Sequence, residues 1–188
     1  MSGGRWTSPY WSSFLPIFFD RVTKIMRKNV NEEIADTGLT SAHTIYLIAL
    51  NLKDGQTMVE LSKFLDYDVA NTSRVIKTLM REGYVYNDRK TPQSRRYKIH
   101  LTEMGRNLAE RVMDFEDSKM EEYFGNVETE DLLHMRDTLI TILRSMDPEL
   151  DDYISSPFDN PYYTLLQTNP PGDGDRFFIS GRAPKEKK

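Results

Sequence analysis

The chain has 188 residues, with 29 acidic against 25 basic side chains for a formal net charge of −4, and no cysteine. That length suits one sizeable domain, or a domain with appendages, able to bury a core without cross-links. The missing cysteines exclude disulfides, thiolate-held zinc and thiol catalysis. The opening residues lack the basic start and apolar run of a secretion signal, and no apolar run approaches the ~18 residues of a membrane span, so a cytoplasmic protein is expected.

In chain order, Phe14, Phe18, Val22, Ile25 and Met26 recur at helical spacing, which predicts a first helix with one apolar face. Pro9 or Pro16 stands near its beginning and Gly38 closes it. A second helix runs through "LTSAHTIYLIALNL" (39–52) with Thr40 as N-cap, and "KDGQ" breaks it. "TMVELSKFL" (57–65) opens a third, with Thr57 and Glu60 at capping-box spacing. After the short turn "DYD", Asp68 caps a fourth helix over 69–82, ended by Gly83. "YVYND" (84–88) and "RYKIHL" (96–101) alternate like strands around the turn-forming "RKTPQS". Thr102 caps a long helix reaching 124, and a last helix covers 129–146, stopped by Asp147-Pro148. Residues 148–188 are rich in proline, glycine and aromatics and carry no period.

The expected fold is therefore mainly α with a small two-stranded β-wing. A winged helix-turn-helix occupies 57–101 within a DNA-binding region of 39–101. Residues 1–38 and 102–147 supply the remaining helical lobe, and 148–188 an extension.

Charge is unevenly distributed. Residues 60–101 hold nine Lys/Arg and five Asp/Glu, whereas 102–154 hold five Lys/Arg and fifteen Asp/Glu. At ~100° per residue, Ala70, Arg74, Lys77 and Arg81 fall within about 60° of one another. Val69, Thr72, Val75, Ile76, Leu79 and Met80 fill the opposite arc, and Asn71 and Ser73 flank the basic stripe. A helix entering the major groove needs this division: small residues for close approach, amides and guanidiniums for base edges, cations for phosphates. The wing adds Arg89 and Lys90 on one side of its loop and Arg95 and Arg96 on the other. A hairpin there overhangs the minor groove, whose negative potential attracts arginine. The acidic C-terminal helices direct DNA to the basic face.

These residues resemble the MarR family (multiple antibiotic resistance regulators) over roughly 12–146. The resemblance rests on Glu60-Leu61, on Arg74, on Leu79, Gly83 and Val85, and on Leu101, Thr102 and Gly105. The Asp-x-Arg usual in the family's wing falls on Gln93 and Arg95, so the arginine is kept without its carboxylate. The resemblance implies a homodimeric repressor on a pseudo-palindromic operator in double-stranded DNA. It further implies dimerisation through the first helix and the two C-terminal helices, and release by a small effector such as an aromatic acid. Arg21 and Lys24 on the first helix and His43 on the second are the candidates to hold such a carboxylate. The rings of Trp6, Tyr10, Trp11, Phe14, Phe18 and Phe19 exceed what one helix can hide; burial against a second subunit is the leading expectation, with a ligand cage as the alternative.

No catalytic residues and no cofactor are expected. His43, His100 and His134 lack metal-ligand spacing, and no nucleophile elbow, P-loop or dinucleotide fingerprint occurs. The rival reading is a winged-helix module that docks proteins without DNA. Such a module would more often present an apolar face than the Arg74/Lys77/Arg81 stripe.

Overall fold

Helices in this chain begin where a side chain satisfies the orphan N–H groups of a first turn. The computed structural model describes residues 9–91, 97–148 and 150. Trp6, the side chain of Tyr10, the wing-loop residues Gln93, Arg95 and Arg96, and the extension beyond 150 lie outside the described residues. The elements are α1 (Pro9–Glu33), α2 (Ser41–Leu52), α3 (Met58–Phe64), α4 (Val69–Arg81), β1 (Val85–Asn87), β2 (Ile99–Leu101), α5 (Glu103–Phe124) and α6 (Thr129–Met146). The fold is mainly α with a two-stranded antiparallel wing, as the sequence predicts.

Three caps follow the sequence signals. Thr57 Oγ1 accepts from the Glu60 N–H at 3.3 Å, and Glu60 Oε2 accepts from the Thr57 N–H at 2.7 Å. Asp68 Oδ1 accepts from the Asn71 N–H at 2.7 Å, and Thr102 Oγ1 from the Gly105 N–H at 3.0 Å. At the far end of α4, the N–H of Gly83 donates to Met80 O and that of Tyr84 to Leu79 O. That pair of bonds is the Schellman closure, and it needs the left-handed backbone of Gly83, at φ 80°.

Two expectations need correction. Helix α1 begins at Pro9, one of the two prolines expected near its start, and contains Pro16, but it ends at Glu33, before Gly38. A separate 3-10 turn, Ala35–Thr37, intervenes, and Gly38 closes that turn in the left-handed conformation. Thr37 explains the break: its hydroxyl donates to Ile34 O at 2.7 Å and accepts from the Leu39 N–H at 3.1 Å, offering the backbone an alternative to continued helix. Val69, assigned by periodicity to the packed arc of α4, is 46% exposed, because the first residue of the helix projects beyond the core.

Helix α2 is the centre of packing. Tyr46, Leu47, Ala49 and Leu50 are at most 1% exposed. The same core holds Leu61 and Phe64 of α3, Ile76 and Leu79 of α4, Val85, Ile99 and Leu101 of the wing, Leu108, Ala109 and Val112 of α5, and Val30 near the end of α1. Arg111 of α5 reaches back to α1, with Nε 2.8 Å from Glu33 Oε1 and a second nitrogen 3.0 Å from Asp36 Oδ2. It also donates to the Glu33 carbonyl. The hydrogen bond from Arg111 holds the Asp36 carboxyl below its ordinary range. Helix α6 makes only glancing contact with each other element. None of the helices among the described residues is long and apolar enough to cross a membrane.

The wing pairs Val85 with Leu101, Tyr86 with His100 and Asn87 with Ile99. The other edge of β2 is covered by the α2–α3 loop: Ile99 N–H donates to Gln56 O at 2.8 Å, and Gly55 N–H to Ile99 O at 3.2 Å. The Gln56 amide turns back and donates to Ala49 O and Lys53 O at the end of α2. Asp54 completes the tether, with Oδ2 2.7 Å from His100 Nδ1 and Oδ1 accepting from the Leu101 N–H at 3.1 Å. Burial pushes the Asp54 carboxyl up. The hydrogen bond from His100, helped by that from Leu101, outweighs burial and holds it below its ordinary 3.8.

Two outcomes are expected. A Cβ on Gly105 would sit 2.0 Å from Tyr84 O, so Gly105→Ala should cost about 3 kcal/mol or more, measured as a fall in the urea midpoint. Because the folded pKa of Asp54 is depressed, its stabilisation is present above its unfolded value and is lost as pH falls through the folded one. Relative to its intrinsic rate, the Leu101 amide should exchange faster as pH drops below about 4. In Asp54→Asn it should exchange faster at neutral pH and show no such acid step.

Candidate nucleic-acid interface

Capped by Asp68 and closed at Gly83, α4 lies with Thr72, Ile76 and Leu79 in the core and its opposite side in solvent. Ala70, Arg74, Lys77 and Arg81 are all exposed. Neither Arg74 nor Lys77 has a carboxylate partner among the described residues, whereas Arg81 Nε lies 2.8 Å from Glu82 Oε1. Ser73 is half-buried beside the stripe. The outer face of α4 is thus short-chained near its start and cationic along its length.

Asn71 departs from the sequence expectation. It is half-buried, and its amide donates inward to the Tyr46 hydroxyl at 3.4 Å. Tyr46 is itself 1% exposed, and burial pushes its hydroxyl pKa up. The amide of Asn71 therefore supports the inner side of α4 rather than its solvent face.

In the wing, Arg89 and Lys90 are exposed, and the Arg89 guanidinium lies 4.1 Å from the centre of the Tyr97 ring. Asp88 closes the base of the loop, accepting from the Lys98 N–H at 2.6 Å and donating its own N–H to Lys98 O at 3.1 Å. Lys98 is exposed at the same place and extends the basic surface. Its alternation opposite Ile99 was the available signal for including it. Arg95 and Arg96 belong to the loop outside the described residues.

A cavity of about 690 Å³ opens between α1, α2, α4 and α5. Met26, Ile45, Val75, Met113 and Met120 give it an apolar wall, and Tyr46, Tyr67, Asn71, Arg27, Glu116 and Asp117 add the polar groups. None of Arg21, Lys24 and His43 lines it. Lys24 Nζ lies 2.7 Å from Asp20 Oδ2 on the solvent side of α1, and Arg21 is exposed there. His43 Nδ1 accepts from the Thr40 N–H at 3.2 Å and lies 2.8 Å from Thr40 Oγ1, so it serves the start of α2. The cavity itself left no mark in the sequence, since its walls come from four helices spread over almost a hundred residues. Among the described residues, no cluster of His, Asp and Glu is arranged to hold a metal ion.

No protein-family model matches this sequence, and no curated protein does. Solved structures do. MepR of S. aureus, in a structure described as a MepR-DNA complex, superposes with a TM-score of 0.61 at 21% identity, over 70% of this chain and 96% of its own. FabT of Streptococcus pneumoniae, solved in complex with DNA, gives 0.60 at 19% identity, over 73% and 96%. A MarR transcriptional regulator from Methanosarcina mazei gives 0.59 at 23% identity, over 70% and 95%. Each likeness spans nearly the whole of the other protein and leaves over a quarter of this chain unmatched. With the capped α3–α4 pair, the tethered wing and the long flanking helices, the chain has the winged helix-turn-helix fold of the MarR regulators.

Proposed function

We propose that this protein is a DNA-binding transcriptional regulator of MarR type, acting in the cytoplasm as a homodimeric repressor. The observation that carries the reading is the outer face of α4. Arg74 and Lys77 stand there exposed and without carboxylate partners among the described residues, beyond the short side chains of Ala70 and Ser73. Together with Arg81 they concentrate positive charge within about 60° of one helix face, in a chain whose net charge is −4. Such a face matches what a groove lined by phosphates and acceptor base edges requires.

In this reading, Ala70, Ser73 and Arg74 approach base edges, while Lys77 and Arg81 hold phosphates. Arg89 and Lys90, with Arg95 and Arg96 of the wing loop, contact the adjacent minor groove and backbone. Asn71 contributes through its hold on Tyr46. Residues 39–101 form the DNA-binding region, and 1–38 with 102–147 the dimerisation lobe. MepR and FabT, which share the fold, were solved with DNA, and this supports the assignment. A dimer accounts for the uncovered side of α1, where Trp11, Phe14, Ile17, Phe18 and Phe19 are all exposed. The aromatic rings meet one another along the helix, Phe14 stacked on Phe18 at 5.7 Å and Trp11 and Phe19 edge-on to their neighbours. So large an apolar patch marks an interaction surface. A pseudo-palindromic operator follows from the two-fold symmetry of such a dimer. Release from DNA by a small ligand completes the reading.

Fluorescence anisotropy with upstream-region DNA and random DNA across a salt series tests the proposal. Arg74→Ala should weaken specific binding by about 1–3 kcal/mol, and Lys77→Ala should weaken binding to both DNAs alike. Folding stability should move by no more than about 0.5 kcal/mol, since both side chains face out. Lys77→Ala should make the slope of log affinity against log salt shallower by about one unit. Unchanged affinity in both variants removes α4 from the DNA. Phe18→Asp should convert a sedimenting dimer to a folded monomer of 21.9 kDa; a wild type that already sediments as a monomer refutes the dimer.

A further inference from the structure

The first turn of α4 differs chemically from the rest of the helix. Val69, its first residue, is 46% exposed, and Tyr67 in the turn before it is 41% exposed. Ala70 is exposed beside them. Between residues 66 and 70 the only charged side chains are the carboxylates of Asp66 and Asp68, both exposed. Asp68 is committed to the cap, accepting from the Asn71 N–H. The cations Arg74, Lys77 and Arg81 begin only in the second turn.

Carboxylates and a branched apolar side chain are poor partners for phosphates. They suit the floor of a major groove, where adenine and cytosine present amino groups and thymine presents an apolar one, its 5-methyl. The placement of Val69 agrees. Side chains on a helix tilt toward its N-terminus, so Val69 projects ahead of the first turn instead of over the core. Residues four apart line up as ridges, and Val69, Ser73 and Lys77 make one, with Ala70 and Arg74 in the next. A lone exposed valine on a surface needs no explanation. This one heads the ridge that carries Lys77, and its neighbours Ala70 and Ser73 are short enough to let a base edge come close.

We propose that Val69 reads a thymine in each half of the operator, by contact with the 5-methyl group. It is then a specificity-determining residue beside Arg74, at a position that periodicity assigned to the core. The inference rests on the DNA-binding reading above and sharpens it. At one position of each half-site, the preference is set by an apolar contact and not by a hydrogen bond.

Deoxyuridine tests this directly, because it keeps every hydrogen-bonding group of thymidine and lacks only the methyl. Selection from a random duplex library with the full chain supplies the probe, and anisotropy on the enriched duplex supplies the readout. Each thymine is replaced by deoxyuridine in turn. At one symmetry-related pair of positions, replacement should weaken the wild type by about fourfold per methyl, the size of one buried methyl group. Val69→Ala should weaken the thymine duplex and shrink that penalty to less than about twofold. Lys77→Ala should weaken both duplexes and keep the penalty whole. Both variants change exposed side chains, so both should melt like the wild type. A wild type indifferent to every deoxyuridine, or a penalty that Val69→Ala retains in full, overturns the proposal and leaves the DNA-binding reading standing. So does duplex binding with no sequence enriched. A chain that binds no duplex at all refutes the regulator reading, and this inference falls with it.

Discussion

One hydroxyl joins the parts of this molecule. Thr102 Oγ1 lies 2.8 Å from Gly83 O and 3.0 Å from Tyr84 O, its donor shared between them, and it accepts from the Gly105 N–H at 3.0 Å. The Thr102 N–H also donates to Tyr84 O at 3.0 Å. The end of α4, the first residue of the wing and the first turn of α5 are therefore held at one point. Gly105 lets the backbones meet there, since any side chain would collide with Tyr84 O. Motion of α4 and of α5 cannot be independent when both are fixed to the same few atoms.

The rest of the arrangement builds outward from that junction. Leu79 and Tyr84 pack into the core beside it, setting which side of α4 faces inward and leaving the opposite side to Arg74 and Lys77. From the same junction α5 runs back along α2 to the end of α1, where Arg111 binds Glu33 and Asp36. Away from that junction, the cavity bounded by Tyr46, Val75 and Glu116 lies between α4, α5 and the first two helices. The basic face and the cavity are two sides of one helix.

The charge distribution acquires a meaning in this geometry. The acidic excess after residue 102 sits on α5 and α6, away from the basic face of α4 and the wing. In the proposed DNA-binding role, the negative excess on α5 and α6 and the positive excess on α4 and the wing orient an approaching polyanion before contact. Glu116 differs from its neighbours on α5 because it points toward the cavity, where burial rather than salt and water sets its energy.

Much of this was legible in the sequence, for a specific reason. Caps act over three residues, so Thr57 with Glu60, Asp68 with Asn71 and Thr102 with Gly105 could be read from spacing, and they fixed where three helices begin. Helical periodicity likewise separated Arg74 and Lys77 from Ile76 and Leu79. Periodicity erred where an end effect or a partner on another element intervened. Val69 projects past the core at the helix start, and Asn71 turns to Tyr46, 25 residues away in sequence. The tether of Asp54 to His100 spans 46 residues and that of Arg111 to Glu33 spans 78. The cavity, with Glu116 in its wall, depends on how four helices pack. Local sequence determined the elements and their polar and apolar faces, because caps and turns are short-range. Which faces meet, and which carboxyl is left facing a cavity, was decided only by tertiary packing, because no short-range rule links residues so far apart in the chain.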